Sequence, residues 1–436
     1  MRGDATAKLK TQNFEGYLRR LGLSKKNSFE RRDSRIFSGD TVKNPVIVGA
    51  VRTIAGRFGG SLSSLSAADL GAAVVEEVVK RAGITPEDVD QLVFGCGWQA
   101  GLGPNVARIC AVRGGLPESV PAYTVNIRCV SSLQAVAEAC RHIIAGDAEV
   151  VIAGGTESGS NVPYILPQAR WGARMWDFTG YDDLHLDGFM CKLAGMLMGN
   201  TAEALAVKYG IDRKEQDEFA LSSHQKAAKA SAEGKFDAEI LPIEITQRKK
   251  GTVVVDKEEI PRADAALEKM LKLPPVFQKD GGTVTAGNSC ALSDCASAVV
   301  IMSAEKAKEM GLTPLAKVRS YAVAGVDPKF MGIGPVAATP IALKKAGLTI
   351  EDIDLVELNE AFAVQYLACE RDLKLDREKV NVHGGAIALG HPVGATGTKL
   401  VCTNLNTLKM YDKTLGLITA CVGGGQGFAL ILERLS

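Results

Sequence analysis

One cysteine and one histidine in this sequence lie in settings that suit nucleophilic catalysis. Cys129 stands in VNIRCVSSLQAVAEACRHI, where a strand-like run gives way to a helical pattern, so its thiol is expected at a helix N-terminus. Unpaired backbone N–H groups and the helix dipole favour a thiolate there. Of the five histidines, His391 in GGAIALGHPVGATG is the best candidate for a base, because the glycines admit a ligand and Pro392 fixes the turn. His383 is expected only to satisfy a turn hydrogen bond.

Two further segments could complete such a site. ELNEAFA places Asn359 and Glu360 at a strand end, where polar residues usually cap the next helix but an amide can also position a water or a substrate oxygen. CVGGGQG closes the final predicted strand, and Cys421 is followed there by three glycines that expose backbone donors. A second thiol at this turn could shuttle protons. The alternative for both cysteines is a buried structural role.

The elements that must position these residues are repeated along the chain. Residues 80–90 read KRAGITPEDVD and residues 344–354 read KKAGLTIEDID, and each is followed by an apolar strand-like run. A helix end, a glycine stop and the start of the next turn recur in the same order. EVVIAGG at 149–155 is likewise echoed by LGLITACVGG at 415–424. Two similar α/β halves follow, and if they pack about a pseudo-twofold axis, the Cys129 turn faces the His391 turn.

The stretch from about 160 to 290 matches neither copy. It contains a helical run from Ala202 to Ala232 and a charged strand-like piece from Lys249 to Lys257. We interpret it as an insertion carried on the first half.

Composition argues against several other classes of protein. The 436 residues are 46% hydrophobic and 23% charged, and no apolar run approaches the roughly 20 residues of a membrane helix. Lys plus Arg number 51 against 50 for Asp plus Glu, which argues against a dedicated nucleic-acid surface. The cysteines form no CxxC pair and follow no secretory signal, so the chain is predicted to be reduced and cytoplasmic. They stand at positions 96, 110, 129, 140, 191, 290, 295, 369, 402 and 421.

Residues 1–42 form a basic extension. Arginines and lysines outnumber its five acids, and these acids weaken an interpretation as a transit peptide. The apolar core of a secretory signal is missing. The function of the extension is left open.

Seven segments of the sequence, in this order and spacing, resemble the thiolases. They are VNIRCVSSLQAV, GGTES, MGNTAEALA, GTVTAGNS, NEAFA, NVHGGAIALGHPVGATG and CVGGGQG, and the resemblance extends from about residue 44 to the C-terminus. It implies a duplicated α/β fold, a five-layer αβαβα core of two similar halves with an inserted loop domain. Residues 43–160 plus 286–304 are then predicted to form the N-terminal half, 161–285 the loop domain and 305–436 the C-terminal half.

The resemblance also implies roles for the reacting residues. Cys129 would be the acylated nucleophile, His391 the base that activates it, and Cys421 the second acid/base, which exchanges the α-proton of acetyl-CoA. Asn359 would hold a water that forms an oxyanion hole with His391, and the backbone N–H groups of Cys129 and Gly423 would form another. The implied reaction belongs to fatty acid and lipid metabolism. It is the reversible Claisen condensation of two acyl-CoA units, as from acetyl-CoA to acetoacetyl-CoA and CoA, or the thiolysis of 3-ketoacyl-CoA.

Coenzyme A is the implied acyl carrier and substrate, with no tightly bound cofactor and no metal. No Walker or GxGxxG motif is present to bind it, and in the family the loop domain holds its adenine and pantetheine. Three positions depart from the family pattern: Cys290 where a serine is common, Leu197 where short-chain members often have histidine, and His383 where asparagine is frequent. The predicted contacts are Arg262 near the nucleotide, Met198 at the acyl pocket, and Ala286, Gly287, Cys290 and Phe362.

Three alternatives remain open on the sequence. A ketoacyl-synthase-type condensing enzyme would share the fold but use one cysteine, which Cys421 opposes. A catalytically silent acyl-CoA or lipid-binding protein of this fold would not need the complete reacting set. A Cys-His-Asn hydrolase would not require paired halves. The family habit suggests a homodimer or homotetramer, and the sequence leaves the acyl chain length and the favoured direction open.

Overall fold

The computed structural model describes residues 43–175, 177–247 and 251–436, which form a mixed α/β protein. The basic extension predicted for residues 1–42 therefore lies outside the described residues, as does Lys249 of the strand-like piece. None of the helices in the described ranges combines the length and the apolarity that crossing a membrane requires.

Strands and helices alternate in each half, as the sequence predicted. The first half opens with β1 (Pro45–Arg52), β2 (Gly56–Arg57), α1 (Ala67–Ala82), β3 (Gln91–Gly95), α2 (Val106–Arg113), β4 (Ala122–Val125), α3 (Ser131–Ala145) and β5 (Val150–Ser158). The insert contains β6 (Tyr164–Ile165), β7 (Tyr181–Asp182), β8 (Met190–Cys191), β9 (Met196–Leu197), α4 (Met198–Tyr209), α5 (Arg213–Ala232), β10 (Ile243–Gln247), β11 (Gly251–Val255) and α6 (Leu267–Met270). Then follow β12 (Ser293–Ser303), α7 (Ala304–Glu309), β13 (Ala316–Gly325), α8 (Gly334–Ala346), β14 (Leu355–Leu358), α9 (Ala363–Leu373), α10 (Ala386–Leu389), α11 (Thr396–Met410), β15 (Leu415–Val422) and β16 (Gln426–Arg434).

The two halves repeat one strand order. In the first half the order is β4–β3–β5–β12–β1, with β4, β3 and β5 parallel and β12 antiparallel to both neighbours. In the second half the order is β14–β15–β16–β13, with β14 and β15 parallel and β16 antiparallel to both neighbours. The counterpart of β4 is reduced to a single parallel bridge between Val356 and Val380. The repeat found in the sequence is therefore a repeat of topology.

The turn chemistry that marked the repeat recurs in both copies. α1 ends at Gly83 and α8 ends at Gly347, each with a left-handed φ of 69°. Glycine adopts this conformation without the steric cost of a Cβ. After the first stop, the N–H of Thr85 donates to Asp88 at 2.7 Å, and the corresponding bond from Thr349 measures 2.8 Å. Each turn leads the chain into a buried strand, β3 or β14.

Three hydrophobic cores separate the layers. The central core packs α3 and α11 between the two sheet halves and contains Ile47 of β1 and Ile418 of β15. Val46, the residue before Ile47, packs in the outer core beneath α1 and α2. Leu417, the residue before Ile418, packs in the outer core beneath α8 and α9. Because successive strand residues point to opposite faces, the order of layers is helix, sheet, helix, sheet, helix. The predicted five-layer fold is confirmed.

The insert lies between β5 and β12 in the chain, yet its two long helices pack on the second half. α4 and α5 contribute Leu205 and Phe219 to the core that α8 and α9 share. The helical run predicted from Ala202 to Ala232 is present as two helices separated at Gly210, whose φ is 60°. Of the charged strand-like piece, the described residues Gly251–Val255 form β11, which pairs with β10. The domain boundaries at 160, 285 and 304 stay predictions.

Candidate active site

Cys129 lies in a short 3-10 turn, Arg128–Val130, between β4 and α3. The strand-to-helix corner expected from the sequence is present. Arg128 has a left-handed φ of 52°, a conformation that costs about 1–3 kcal/mol for a residue with a Cβ. Asn126 holds the turn, since its Oδ1 accepts the Arg128 N–H at 3.0 Å and its Nδ2 donates to the Gly97 carbonyl at 3.0 Å. Cys129, the predicted nucleophile, is therefore presented by a strained turn that neighbouring groups hold in place.

The helix end does not by itself ionise the Cys129 thiol. Burial raises the pKa of Cys129 above its ordinary value, while the Arg128 guanidinium and the backbone N–H groups of Gly423 and Cys129 oppose the rise. The backbone donors expected from the sequence are present, but the loss of solvent around the charged form outweighs them. Cys129 is therefore a thiol in the resting protein, and it needs a base to become a nucleophile.

His391 has the geometry of such a base. Its Nδ1 lies 2.7 Å from Oγ1 of Thr396, and that hydroxyl donates to the Pro392 carbonyl at 3.0 Å. Because the hydroxyl proton is engaged, Thr396 accepts from Nδ1–H, which leaves the lone pair on Nε2. Nε2 is buried and has no hydrogen-bond partner within the described part of the chain. Burial, Lys399 and Arg128 lower the pKa of His391 to about 3, so the imidazole is neutral at neutral pH.

The base turn meets the nucleophile turn, as a pseudo-twofold arrangement of the halves requires. Val393, two residues after His391, lies in a small apolar cluster against which Cys129 packs. The N-terminal turns of the two central helices are also bonded to each other, since the N–H of Thr398 in α11 donates to Oγ of Ser132 in α3 at 3.0 Å. The site is thus assembled where α3 and α11 begin.

The Asn359 amide is a second polar group of the site without a partner. The residue follows β14, and its backbone N–H donates to the Thr419 carbonyl of β15 at 3.0 Å. Its side chain is fully buried, yet neither Oδ1 nor Nδ2 has a hydrogen-bond partner among residues 43–175, 177–247 and 251–436. Leaving a buried polar group unmet costs about 1–3 kcal/mol. This arrangement supports the prediction that Asn359 positions a water or a substrate oxygen.

Cys421 lies near the end of β15 and is wholly buried. β15 is not the final strand, contrary to the interpretation of the sequence, because the glycine turn leads on into β16. Burial raises the pKa of Cys421 far above its ordinary value, and the nearby thiols of Cys129, Cys369 and Cys290 raise it further. Cys421 is therefore a protonated thiol next to the nucleophile, the form in which it can donate a proton.

The glycine turn after Cys421 is packed on both sides. Gly425 has a φ of 88°, and a Cβ there would stand 2.4 Å from the Val326 carbonyl oxygen, so the position requires glycine. A Cβ on Gly423 would lie 3.2 Å from the sulfur of Met198. The predicted oxyanion-hole residue and the predicted acyl-pocket residue are therefore neighbours.

Backbone pairing brings two more predicted contact residues to the site. The N–H of Cys290 donates to the Ala361 carbonyl at 3.0 Å, and the preceding residue forms an antiparallel bridge with Phe362. The carbonyl of Ala291 in turn accepts the backbone N–H of His391 at 2.9 Å. Burial raises the pKa of Cys290 to about 12, so this residue is also a thiol at neutral pH.

The remaining predicted coenzyme A contacts lie at the surface, Arg262 within the insert and Ala286 and Gly287 just after its predicted end. Ala286 and Gly287 form an exposed to half-exposed turn that the buried Asn288 side chain holds, with its Oδ1 accepting and its Nδ2 donating within the same loop. The side chain of Arg262 is exposed, and its backbone N–H donates to Nδ1 of His224 at 3.3 Å. Such positions suit the polar end of a long ligand and not the reacting atoms.

Glu157 is a structural element of the site that the sequence analysis passed over within GGTES. Its buried carboxylate accepts backbone N–H groups from Gly97 at 2.8 Å, Trp98 at 3.1 Å and Gly394 at 2.8 Å. Gly394 belongs to the His391 turn, so one carboxylate joins a first-half loop to the second-half base. The available signal was a charged residue within the apolar run VVIAGGTES.

Glu360, like Glu157, is a buried carboxylate that joins separate segments around the site. Instead of capping the next helix, its buried carboxylate accepts from Ser223 of the insert at 2.7 Å, from the Asn381 amide at 2.9 Å and from the N–H of Ile387 at 3.2 Å. Glu360 therefore ties the insert to the segment that leads to His391.

His383 makes a longer-range contact than the turn bond expected from the sequence. Its Nε2 lies 3.1 Å from the hydroxyl of Tyr411, just beyond α11. Burial and Lys235 lower the pKa of His383 to about 4, so it is a neutral, structural histidine.

Comparisons with known proteins identify the family. Residues 45–305 match the family model described as thiolase, N-terminal domain, and residues 312–434 match the one described as thiolase, C-terminal domain. The chain belongs to the thiolase family. An acetyl-CoA acetyltransferase of Escherichia coli (strain K12) is 51% identical over 396 residues, which cover 91% of this chain and 100% of the relative.

Solved thiolase-family structures agree with this assignment. The acetyl-CoA acetyltransferase from Syntrophomonas wolfei superimposes with a TM-score of 0.88 at 44% identity, covering 91% of this chain and 100% of that one. Human mitochondrial 3-ketoacyl-CoA thiolase gives a TM-score of 0.88 at 42% identity over the same shares of the two chains. The predictions of the thiolase fold and of an acyl-CoA C-acyltransferase are confirmed, and the comparisons do not favour the ketoacyl-synthase-type or silent binding alternatives.

Proposed function

We propose that this thiolase transfers an acyl group to and from coenzyme A through an acyl-Cys129 intermediate, and so makes or breaks a carbon–carbon bond. In one direction two acetyl-CoA would give acetoacetyl-CoA and CoA, and in the other CoA would cleave a 3-ketoacyl-CoA. Relatives named acetyl-CoA acetyltransferase support this reaction. The observation that carries the proposal is the buried Nε2 of His391, which has no hydrogen-bond partner among the described residues and is fixed through Thr396 in a site whose cysteine needs a base.

Each proton has an origin and a destination in this scheme. In thiolysis, Nε2 of His391 takes the Cys129 proton and the thiolate attacks the 3-keto carbonyl. The bond between C2 and C3 breaks, and Cys421 protonates the departing carbanion to release acetyl-CoA. An incoming CoA thiol then gives its proton to Cys421, and its sulfur takes the acyl group from Cys129, which regains its proton from His391. Condensation is the reverse sequence.

Two groups of donors would stabilise the charged oxygens. A water held by the Asn359 amide would act with His391 on the enolate oxygen, and the N–H groups of Cys129 and Gly423 would act on the tetrahedral intermediate at the nucleophile. The buried Asn359 amide, which has no partner in the part of the chain that the structure describes, and the Gly423 N–H directed to the sulfur support these roles. A preorganised donor of this kind is commonly worth about 3–4 kcal/mol in the barrier.

The insert would hold the acyl carrier. Met198, Cys290 and Phe362 would contact the pantetheine and acyl portion, because Met198 lies beside Gly423, and the paired segments of Cys290 and Phe362 adjoin Ala291, whose carbonyl accepts the His391 N–H. Arg262, Ala286 and Gly287 would contact the polar end from the protein surface. Coenzyme A would act only as a substrate, without a tightly bound cofactor.

Assembly and location are further parts of the proposal. A homodimer or homotetramer is supported by β4, which pairs only with β3 in the described sheet and so leaves an edge for another strand. A cytoplasmic location is supported by the ten cysteines, all of which are free thiols.

The test mixes the purified protein with acetoacetyl-CoA and CoA and follows the loss of the enolate absorbance. The parent should turn over, and Cys129→Ala should not. Cys140→Ala is the matched control, because it removes a buried thiol from α3 outside the site. No turnover by the parent, or equal rates for the parent and Cys129→Ala, would contradict the proposal.

A further inference from the structure

Trp98 lies next to the nucleophile in a cluster that the proposed chemistry does not use. Trp98, Leu184 and Val393 form this buried apolar cluster, and Cys129 packs against it. In thiolysis the part of the substrate beyond the 3-keto carbon becomes attached to the Cys129 sulfur. The attached chain therefore grows away from Cys129 as the substrate lengthens, and the walls around the sulfur decide how much chain fits.

Four contacts fix the Trp98 residue. Its Nε1 donates to the Asp183 carbonyl at 3.1 Å, and its backbone N–H donates to Glu157 at 3.1 Å. The Arg128 guanidinium lies 4.7 Å from the ring centroid, and the ring of Phe189 meets the indole edge to face with centroids 5.8 Å apart. A side chain held by its N–H group, its ring face, its ring edge and its backbone is a rigid wall.

The insert packs against the indole ring of Trp98 and prevents it from moving away from Cys129. A Cβ on Gly188 would stand 2.3 Å from Cζ2 of Trp98, so the π-helical turn Leu184–Phe189 already touches the indole along its length. Arg128, which presses on the ring, is also the strained residue that immediately precedes Cys129. Moving the indole would therefore disturb both the insert and the nucleophile turn.

We propose that Trp98 is a specificity-determining residue that limits the acyl group on Cys129 to a short chain, which makes short-chain 3-ketoacyl-CoA the substrate class. The inference rests on the proposed function, because it assumes acylation of Cys129. A purely structural Trp98 would change the stability of the protein but not its preference among chain lengths.

The experiment measures kcat/KM for acetoacetyl-CoA, 3-ketohexanoyl-CoA and 3-ketooctanoyl-CoA in the parent, Trp98→Ala and Trp98→Phe. The parent should prefer acetoacetyl-CoA. In Trp98→Ala the ratio of the 3-ketooctanoyl-CoA value to the acetoacetyl-CoA value should rise at least about tenfold, the effect of roughly one methylene of fit, and Trp98→Phe should fall between. Trp171→Ala, at a tryptophan that is 81% exposed, is the matched control and should leave the ratio unchanged.

The ratio separates the outcomes, because a lower fraction of folded enzyme cancels from it. A parent that does not cleave acetoacetyl-CoA at all would contradict the proposed function itself. An active parent whose ratio is the same in both Trp98 variants would overturn this inference alone. If Trp98→Ala does not fold, Trp98→Phe and Trp98→Leu carry the same test.

Discussion

Oγ1 of Thr396 accepts the Nδ1 proton of His391 at 2.7 Å, because its own proton is donated to the Pro392 carbonyl. The pair selects the tautomer that leaves Nε2 as the base. Since burial also keeps the imidazole neutral, both the charge and the proton position of His391 are set before a substrate binds. The proton position that the proposed base requires therefore depends on the hydroxyl of Thr396.

Replacing Thr396 tests this orientation. Thr396→Val keeps the shape of the side chain but removes the acceptor, so Nδ1–H loses its partner and the imidazole is free to adopt other tautomers and rotations. We expect kcat to fall by about 10²-fold, the lower end of what general-base catalysis contributes, with little change in KM. Thr396→Ser should recover most of the rate in steady-state assays. Equal losses in the valine and serine variants would indicate a packing role instead.

Asn359→Ala should separate activity from stability. The Asn359 amide makes no hydrogen bond among the described residues, so its removal should leave Tm nearly unchanged while kcat falls by about 10²–10³-fold. Asn381→Ala is the control, because that amide bonds the N–H of Leu358 at 2.9 Å and its carbonyl at 2.8 Å. The control should lower Tm clearly. A comparable Tm loss in both variants would argue that Asn359 is structural.

Glu157→Gln should loosen the base turn from the first half. Both carboxylate oxygens accept backbone N–H groups, and glutamine can offer only one oxygen, so at least one donor would face an NH₂ group. We expect a loss of about 1–3 kcal/mol in the free energy of unfolding together with a lower kcat. Denaturant unfolding and turnover should be compared with Glu118→Gln, at an exposed surface position. An unchanged unfolding midpoint in Glu157→Gln would contradict the expectation.

Glu357 should make the protein less stable at alkaline pH. Burial raises its pKa from 4.5 to about 8, against the opposing influence of Lys399. Between pH 4.5 and about 8 the folded protein keeps a proton on Glu357 that the unfolded chain has released. The stability gained from the protonated Glu357 is therefore complete below pH 4.5 and is lost as the pH rises through about 8. Glu357→Gln mimics the protonated form, and its Tm should exceed the parent's by roughly 2–4 °C above that range. Thermal unfolding from pH 5 to 9 should show this difference opening with pH, and a constant difference would count against it.

Much of the fold could be predicted because its signals are local. The glycine stops at Gly83 and Gly347 and the threonine turns after them repeat within short segments, and so do the apolar strands that follow. The one-strand error at β15 has the same origin, since the glycines after Cys421 mark a turn but do not say whether another strand follows. The chain order also hid that α4 and α5 of the insert pack on the second half, because that depends on contacts distant in sequence.

The reacting residues could be nominated from their settings, but their electrostatics could not. The helix end at Cys129 was visible in the sequence, whereas the burial that raises its pKa depends on neighbours from both halves. Thr396 and Glu157 were missed because each acts through a partner that only the folded chain supplies, across 5 residues for the first and 237 for the second. Sequence patterns locate reactive groups better than they reveal what holds them.

The bond between Ser132 of α3 and Thr398 of α11 joins the first turns of the corresponding helices in the two copies. In the proposed mechanism the two copies divide one reaction between them, with Cys129 as the nucleophile in the first and His391 as the base in the second. The sequence of neither turn can change independently of the other, because a change in the shape of one turn displaces the group that the other must reach. The internal repeat has in this way become a mutual constraint, and accepted substitutions at these facing turns should come in matched pairs.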